Sequence, residues 1–270
     1  MNVVFVGGGN MASALIGGLL AKGFEPAAIG VIEAVPAARE RIAAQYGVRA
    51  LSSADAASAR ADIWVLAVKP QDMRRAAESV AAQARERLVI SIAAGIRVPD
   101  LSRWLGGAPL VVRCMPNTPA LIGAGITGLY APVSVGPQDR QRAEQILAAV
   151  GEVVWVPEER LLDPVTALSG SGPAYVFWFI EQLAAGGQAL GLDQPTAGKL
   201  ALQTVLGAAK LAAQSAEAPG VLRERVTSKG GTTEAALAEF AKANLAEALH
   251  RAMRAASARG AELGIELGKD

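Results

Sequence analysis

The chain opens with a short apolar strand that runs directly into a glycine-rich turn and then into a helix. Residues 2–6 read Asn-Val-Val-Phe-Val, and residues 7–12 read Gly-Gly-Gly-Asn-Met-Ala. In this G-x-G-x-x-A pattern, Gly7 permits a tight turn, Gly9 removes the side chain that would block a pyrophosphate, and Ala12 lets the helix pack close to the strand. Because the pattern lies between a strand and a helix, it predicts a dinucleotide-binding site rather than a plain strand-to-helix connection.

The first half of the chain continues this alternation of apolar strands and helices. Strand-like runs follow at 29–32, 63–67, 88–92, 110–114 and 153–156, and helical stretches separate several of them at 36–46, 71–85 and 137–150. Alternation of this kind is typical of a mostly parallel sheet with helices on both faces. We therefore predict an α/β, Rossmann-type doubly wound dinucleotide-binding domain over residues 1–157.

From residue 158 onward the pattern is helical throughout. Helical stretches are predicted at 163–169, 173–190, 195–213, 221–226, 232–241 and 244–263. Their long apolar and alanine-rich faces carry few charges, which is more apolar surface than one small helical domain can bury. We predict an all-α substrate-binding and dimerisation domain over residues 158–270, through which the chain forms a dimer or a larger homo-oligomer.

The composition argues against several classes of partner. With 26 Lys and Arg against 25 Asp and Glu and no run of basic residues, the chain lacks the excess positive charge that would bind nucleic acid or an anionic membrane. It has one cysteine, Cys114, and one histidine, His250, which argues against a disulfide or a metal site. The opening strand lacks the features of a signal peptide, and the longest apolar stretch contains polar residues. We expect a small-molecule substrate, no metal, no membrane and a cytoplasmic location.

Distinctive residues follow several predicted strands, at the sheet edge where ligands bind. Val68-Lys69-Pro70-Gln71 follows one strand and indicates either a cofactor contact or a strand stop with a solvated lysine. Small residues at 93–95 would let a cofactor lie on the backbone. Two prolines stiffen the loop around Asn117, which favours preorganised polar groups beside a cofactor. A hydroxyl-rich turn at 166–175 fits ligand contact and a tight helix–helix corner equally well.

A second ligand loop is predicted at residues 227–233, which read Thr-Ser-Lys-Gly-Gly-Thr-Thr. The run places hydroxyls and flexible backbone N–H groups where a helix begins. A helix N-terminus has unpaired N–H groups and a positive dipole end, so such a loop can hold a small carboxylate. Taken alone, the run would also fit an ordinary capped helix start. Together with a dinucleotide site at the other end of the chain, it suggests a reductase of a small acid.

In this order and spacing, these motifs closely resemble the pyrroline-5-carboxylate reductase family over nearly the whole chain. The resemblance implies the last step of proline biosynthesis, in which a reduced nicotinamide gives a hydride to the C=N carbon of 1-pyrroline-5-carboxylate and L-proline is formed. It also implies a dimer with interlocked helical domains and NADP(H) as the cofactor, with NAD(H) as an alternative. A protonated cyclic imine is already an electrophile, so positioning is expected to be the main catalytic contribution.

The resemblance also assigns roles to individual residues. It implies that Thr233 is the catalytic residue, which hydrogen-bonds the ring nitrogen across the dimer. The residues implied to bind the substrate are Ser228, Gly230, Gly231, Thr232 and Thr233. The residues implied or predicted to contact the cofactor are Val6, Gly7, Gly8, Gly9, Asn10, Met11, Ala12, Glu33, Ala67, Val68, Lys69, Pro70, Ala93, Ala94, Gly95 and Asn117.

Two positions depart from the family pattern. Lys229 stands where many members have proline, so the loop loses a conformational constraint and gains a charge, which we expect to face water. Glu33 ends the second strand, where a carboxylate usually accepts from the ribose 2′-OH and repels a 2′-phosphate. Arg39 and Arg41 are close enough in sequence to argue the other way. The resemblance favours NADPH, and Glu33 leaves NADH as an open alternative.

Two other functions are compatible with the same order of domains. A β-hydroxyacid dehydrogenase has the same domain order, but it would need a lysine on the first long C-terminal helix, and residues 173–190 contain none. A nucleotide-sensing interaction protein would keep the fold without turnover. The hydroxyls of Ser228, Thr232 and Thr233 argue against that loss of activity.

Overall fold

The strands of the first half form one sheet whose order is β3-β2-β1-β4-β5-β6-β7-β8. The computed structural model describes residues 1–56, 58–108 and 110–269. All neighbouring strands pair in parallel except β6 and β7, which are antiparallel. The strands are β1 (Val3–Val6), β2 (Ile29–Ile32), β3 (Arg49–Leu51), β4 (Ile63–Leu66), β5 (Leu88–Ser91), β6 (Val111–Met115), β7 (Gly125–Tyr130) and β8 (Gly151–Trp155).

The central strands are apolar along their whole length because helices cover both faces of the sheet. Alternate residues of β1 enter different cores: Val3 and Phe5 belong to one buried cluster, and Val4 and Val6 belong to the other. Six helices accompany the strands among the described residues up to position 171. They are α1 (Asn10–Ala21), α2 (Pro36–Tyr46), α3 (Met73–Ala84), α4 (Val98–Trp104), α5 (Pro137–Leu147) and α6 (Leu162–Val165).

The rest of the chain is helical, as predicted. A single π-helical turn, Thr166–Gly170, follows α6 and is closed by a hydrogen bond of 2.8 Å from the Ser171 N–H to the Thr166 carbonyl. No helix among the described residues is long and apolar enough to cross a membrane. The remaining helices are α7 (Gly172–Ala189), α8 (Gln194–Gln214), α9 (Pro219–Arg225), α10 (Thr232–Lys242) and α11 (Leu245–Leu267).

The predicted fold class, an α/β doubly wound part followed by helices, is confirmed, but three elements were missed. These are β3, β7 and α4. Strand β7 was not predicted because its glycines lower the strand propensity of this segment. A Cβ on Gly125 would lie 2.9 Å from the Ala120 Cα, and one on Gly128 would lie 2.6 Å from a Val165 methyl group. These glycines therefore serve close packing within a strand rather than a loop.

The chain divides into two units, and α11 contributes to both. The first unit contains Met1–Ser171 and Ala255–Asp270, and the second contains Gly172–Arg254. Our sequence-based division between residues 157 and 158 separates a cofactor domain from a substrate domain. It stays a prediction, because a division by packing does not show which part binds which ligand.

The second unit leaves large apolar side chains uncovered. In α7, the consecutive residues Val176, Phe177, Trp178 and Phe179 are 45%, 66%, 56% and 41% exposed in the isolated chain. Consecutive helical residues point in different directions, so these side chains cannot share one buried face. Exposed apolar surface of this extent is typical of a protein interface.

Candidate active site

The turn after β1 has a geometry that only glycine tolerates well at its first position. Gly7 has a φ of +99°, and a Cβ there would lie 2.7 Å from the Ala67 carbonyl oxygen and 2.9 Å from the Val68 Cγ1 atom. The Gly7 N–H donates to the Ile32 carbonyl at 2.8 Å. The turn is thus held between the ends of β2 and β4, as the dinucleotide-binding pattern requires.

The start of α1 offers an open anion-binding position. Gly9 is the N-cap, and within the described residues no side chain caps this end and no acidic residue lies in its first turn. A Cβ on Gly9 would meet no atom within 4 Å, so this glycine leaves open space beside the helix start. Ala12 is fully buried in the core, which allows the helix to pack closely on the sheet. The residues present therefore fit a pyrophosphate on the N–H groups of α1.

Glu33 extends from the end of β2 toward the same turn. Its Oε2 atom accepts a hydrogen bond from the Gly8 N–H at 2.7 Å, and its Oε1 atom accepts one from the Val35 N–H at 2.8 Å. Arg39 donates to the Glu33 backbone carbonyl at 2.9 Å, and Arg41 donates to the Gly8 carbonyl at 3.5 Å. The carboxylate is therefore fixed by backbone donors beside the glycine turn.

A cleft of about 530 Å³ lies over these groups, and predicted and unpredicted residues line it. The missed residues include Ser52, which follows the missed strand β3, together with Asp72 and Arg75 at the start of α3. The spacing of an Asp and an Arg three residues apart near a helix start was the available sequence signal. The predicted cofactor residues that line the cleft are Val6, Gly7, Gly8, Gly9, Glu33, Ala67, Val68 and Lys69.

The other predicted cofactor residues do not line this cleft. Asn10, Met11 and Ala12 belong to the first turn of α1, and Pro70 begins the short turn that precedes α3. The predicted contacts at Ala93, Ala94, Gly95 and Asn117 lie beyond β5 and β6.

Gly95 has a packing role in addition to its predicted ligand role. Its φ is +84°, and a Cβ there would lie 3.4 Å from the Gly264 backbone nitrogen in the C-terminal part of α11. The neighbouring Ala93 is buried. Small residues at 93–95 therefore let the last helix lie against this loop, which no local sequence pattern reveals.

Asn117 holds its own loop in place. Its side chain is nearly buried, and the Oδ1 atom accepts a hydrogen bond from the Ile126 N–H at 2.9 Å. This bond ties the proline-bracketed loop to β7. The amide oxygen is therefore used for structure, which leaves the amide nitrogen as the donor that could face a ligand.

A buried group of charges connects the loop after β5 to the strands behind it. The Arg113 side chain is only 2% exposed, and its guanidinium lies 3.2 Å from the Glu159 carboxylate and 3.7 Å from that of Asp163. Arg97 approaches Asp163 at 2.6 Å, and Glu159 also accepts from the Val98 N–H at 2.7 Å. Burial lowers the pKa of Arg113, while the nearby carboxylates act in the opposite direction. These contacts fix the segment that follows Gly95.

Cys114 follows Arg113 in β6 and is a buried free thiol. It is 1% exposed, and its Sγ atom lies 3.2 Å from the Ser91 carbonyl oxygen. Burial raises the pKa of the thiol well above its ordinary value. No group of three or more His, Cys, Asp or Glu residues in the described part of the chain could hold a metal ion.

The loop 227–233 belongs to the second unit and leads into α10. Gly230 has a φ of +74°, and its N–H donates to the Glu234 Oε2 atom at 2.7 Å. The Gly231 N–H donates to the Ser228 carbonyl at 3.0 Å, and the Thr227 hydroxyl donates to the Arg223 carbonyl at 2.7 Å. The loop is therefore a closed turn whose backbone is largely fixed by its own residues.

The groups that remain open to a ligand in this loop are those at the start of α10. Gly231 is the N-cap and has no side-chain capping bond to the described residues. The first N–H groups of a helix lack acceptors within the helix. Ser228 and Thr232 are exposed, and Thr233 is half-buried. Sequence reasoning missed Glu234, although a glutamate three residues after an N-cap is the signal of a capping arrangement.

Comparison with known proteins places the chain in a family. The model described as pyrroline-5-carboxylate reductase dimerisation matches residues 159–263, and the model described as NADP oxidoreductase coenzyme F420-dependent matches residues 2–95. A pyrroline-5-carboxylate reductase from Pseudomonas aeruginosa is 46% identical over 269 residues, which covers 99% of this chain and 98% of that protein. The chain belongs to the pyrroline-5-carboxylate reductase family.

Solved structures of family members agree over nearly the whole chain. The pyrroline-5-carboxylate reductase of Coxiella burnetii superposes with a TM-score of 0.92 at 41% identity, covering 97% of this chain and 98% of that one. The Plasmodium falciparum enzyme, solved with NADP bound, has a TM-score of 0.84 at 28% identity and covers 98% of each chain.

Family membership confirms the resemblance to pyrroline-5-carboxylate reductases that the sequence motifs indicated. With it, the predicted activity is confirmed: an oxidoreductase that reduces 1-pyrroline-5-carboxylate to L-proline by hydride transfer from NAD(P)H. The helical part contains the region that matches the family's dimerisation model, which agrees with self-association through that part.

Proposed function

We propose that this pyrroline-5-carboxylate reductase holds its dinucleotide in the cleft over the glycine turn and its substrate carboxylate on the loop 227–233. The observation that carries the proposal is the forced glycine conformation at Gly7 next to the uncapped start of α1. Together these features leave the first N–H groups of α1 facing a space that no side chain of the described residues fills. An anionic diphosphate is the ligand such a space suits.

The dinucleotide-binding residues divide into three groups in this proposal. The first N–H groups of α1, at residues 10–12, supply backbone donors for the diphosphate, and Glu33 faces the ribose that follows it. Ala67, Val68 and Lys69 line the cleft at the end of β4, where Lys69 is exposed and adds positive charge, and Pro70 follows them. The segment 93–95 and Asn117 extend the site toward the nicotinamide. When bound, NAD(P)H supplies the hydride.

The substrate loop is proposed to act by positioning. The ligand donors are the Ser228 and Thr232 hydroxyls and the first N–H groups of α10, those of Thr232 and Thr233, which all suit a carboxylate. Thr233 orients the ring nitrogen with a neutral hydroxyl, so it does not compete with the charge of the protonated imine. Because a protonated imine needs no further activation, correct orientation accounts for most of the catalysis.

Gly230 has a smaller place in this proposal than the family resemblance gives it. Its N–H already donates to Glu234, so it can reach a substrate carboxylate only after Glu234 releases it. Lys229 is exposed beside it and faces water in this chain. The Gly231 N–H is likewise engaged, by the Ser228 carbonyl at 3.0 Å, so the proposed carboxylate site rests mainly on Ser228 and Thr232 and on the first N–H groups of α10.

The assembly and location follow from the helical part and the overall charge. We propose a dimer, or a larger homo-oligomer, that covers the apolar residues of α7. A cytoplasmic location without nucleic-acid or membrane partners suits the balanced charge of the chain.

The first test measures initial rates of NADPH and, separately, NADH oxidation with 1-pyrroline-5-carboxylate and with a six-membered cyclic imine. Rapid oxidation with the five-membered ring is expected. Equilibrium binding of each dinucleotide is measured in the same preparation. Tight dinucleotide binding without turnover of either imine would contradict the proposed substrate loop and leave only the cofactor cleft.

A further inference from the structure

The dinucleotide cleft contains a carboxylate at the position where cofactors with and without a 2′-phosphate differ. We propose that Glu33 makes this enzyme select NADH over NADPH. This inference rests on the proposed placement of the dinucleotide in the cleft. At Glu33 this chain departs from the family pattern, which favours NADPH.

Glu33 is placed by the fold at the adenosine ribose position. It follows β2 directly and lines the cleft together with Gly7, Gly8 and Gly9. In doubly wound folds, an acidic residue at this point accepts hydrogen bonds from the ribose 2′-OH. A ribose hydroxyl can donate to a carboxylate, whereas a 2′-phosphate brings further negative charge and no proton at neutral pH.

The carboxylate is fixed in this position rather than free to turn away. Each of its oxygens accepts one backbone hydrogen bond, from Gly8 at 2.7 Å and from Val35 at 2.8 Å. Bonds from N–H groups to a carboxylate are stronger than those between neutral groups. A 2′-phosphate could displace the side chain only by breaking both of them. Each oxygen still has a further lone pair for a ribose hydroxyl.

The nearby cations do not neutralise Glu33. Arg39 donates to the backbone carbonyls of Glu33 at 2.9 Å and Ala34 at 3.5 Å, and Arg41 donates to the Gly8 carbonyl. Arg75 pairs with Asp72 at 2.9 Å. Within the described residues, no Lys or Arg forms an ion pair with Glu33. A 2′-phosphate would therefore meet a carboxylate that is held by backbone N–H groups and not paired with these arginines.

Equilibrium binding of two adenosine fragments tests this without any hydride transfer. The probes are 5′-AMP and 2′,5′-ADP, which share the 5′-monophosphate and differ only in the 2′-phosphate, and affinity is measured by isothermal titration calorimetry on the full-length protein. NAD⁺ and NADP⁺ are titrated in parallel, because the complete dinucleotides share the diphosphate and the nicotinamide half. We expect NAD⁺ to bind more tightly than NADP⁺ by about tenfold or more, and 5′-AMP to bind more tightly than 2′,5′-ADP.

Three variants separate Glu33 from its surroundings. Glu33→Ser removes the charge and opens space, and it should reverse or abolish the preference for NAD⁺. Glu33→Gln keeps the size of the side chain and should reduce the preference for NAD⁺ over NADP⁺. It replaces Glu33→Ser as the test if that variant folds poorly. Glu40→Gln is the matched control, because Glu40 is exposed on α2 and outside the cleft lining. It should leave the ratio of the two affinities unchanged.

The outcomes distinguish this inference from the proposed function. Tighter binding of NADP⁺ by the unmodified enzyme would overturn the selection by Glu33 and leave the cofactor cleft intact. An unchanged affinity ratio in both Glu33 variants, each shown to be folded, would also overturn it. Failure of all four ligands to bind the folded enzyme would overturn the proposed placement of the dinucleotide itself.

Discussion

The carboxylate of Glu234 accepts a hydrogen bond from the backbone N–H of Gly230 at 2.7 Å, inside the loop proposed to bind the substrate carboxylate. The chain thus places its own carboxylate on a donor that the ligand would otherwise use. Glu234 also stabilises the start of α10, because a negative charge there interacts favourably with the helix dipole. The same residue therefore supports the helix and competes with the substrate.

Glu234→Gln is expected to lower the KM for 1-pyrroline-5-carboxylate several-fold with little change in kcat. The substitution removes a negative charge near the bound carboxylate, and it should cost about 0.3–1 kcal/mol of stability by weakening the dipole interaction. Steady-state kinetics and thermal unfolding measure the two effects. Glu239→Gln on the exposed side of α10 is the control, since Glu239 pairs with Lys242 instead. A raised KM in Glu234→Gln would mean that Glu234 organises the loop for the substrate.

Thr233→Ala is expected to lower kcat by one to two orders of magnitude, which corresponds to about 1.4–2.7 kcal/mol of transition-state stabilisation. The reason is the loss of the hydroxyl that orients the ring nitrogen. Thr233→Ser keeps a hydroxyl and should retain most of the rate. Dinucleotide affinity should be the same in both variants, because Thr233 is not assigned to the cofactor. An unchanged rate in Thr233→Ala would remove this residue from the mechanism.

Two alanine substitutions in the glycine turn should separate folding from binding. Gly7→Ala should destabilise the protein by about 1–3 kcal/mol, because φ is +99° and the new methyl group would lie 2.7 Å from the Ala67 carbonyl oxygen. Gly9→Ala should leave the unfolding temperature nearly unchanged, since a Cβ there meets no atom within 4 Å. It should instead weaken dinucleotide binding by about tenfold or more, because the methyl group enters the space for the diphosphate. Gly9→Ala with undiminished affinity would contradict a diphosphate at this helix start.

Adjacent glutamates provide a matched test of the buried charge group. Glu159→Gln should cost about 1.5–3 kcal/mol of unfolding free energy, because buried Arg113 would lose its nearest carboxylate and keep only Asp163 at 3.7 Å. Glu158→Gln should have no measurable effect, since Glu158 pairs with Arg160 in an exposed position. Urea unfolding at a fixed protomer concentration, with unchanged m-values, measures both. Equal losses in the two variants would show that burial of Arg113 is not the cause.

Cys114 is expected to resist modification in the folded protein. Burial raises the pKa of its thiol, so the reactive thiolate is nearly absent at pH 8, and access is blocked as well. A thiol-reactive chromogenic reagent should therefore react with Cys114 only at the rate of unfolding and rapidly in denaturant. Fast modification of the native protein would show that this strand opens in solution.

Features carried by neighbouring residues could be predicted from the sequence. The strand, glycine turn and helix at 2–20 follow from short-range periodicity and from the conformational freedom of glycine. The order of strands and helices in the first half and the helical second half follow from the same local patterns. The family resemblance also rests on motifs that are each contiguous in the chain.

The tertiary structure decided what individual residues in those motifs do, because the deciding contacts join residues that are distant in sequence. Gly95 was predicted as a cofactor contact, and packing against Gly264 supplies another reason for a glycine there. Gly128 lies outside the strands predicted from the sequence, but in the structure it belongs to β7, where it pairs with Met115 of β6 and packs against Val165. The sequence left the roles of Glu33 and the nearby arginines open. In the structure the carboxylate is fixed by backbone N–H groups while the arginines bind carbonyls, since hydrogen-bond partners depend on three-dimensional proximity rather than on spacing along the chain.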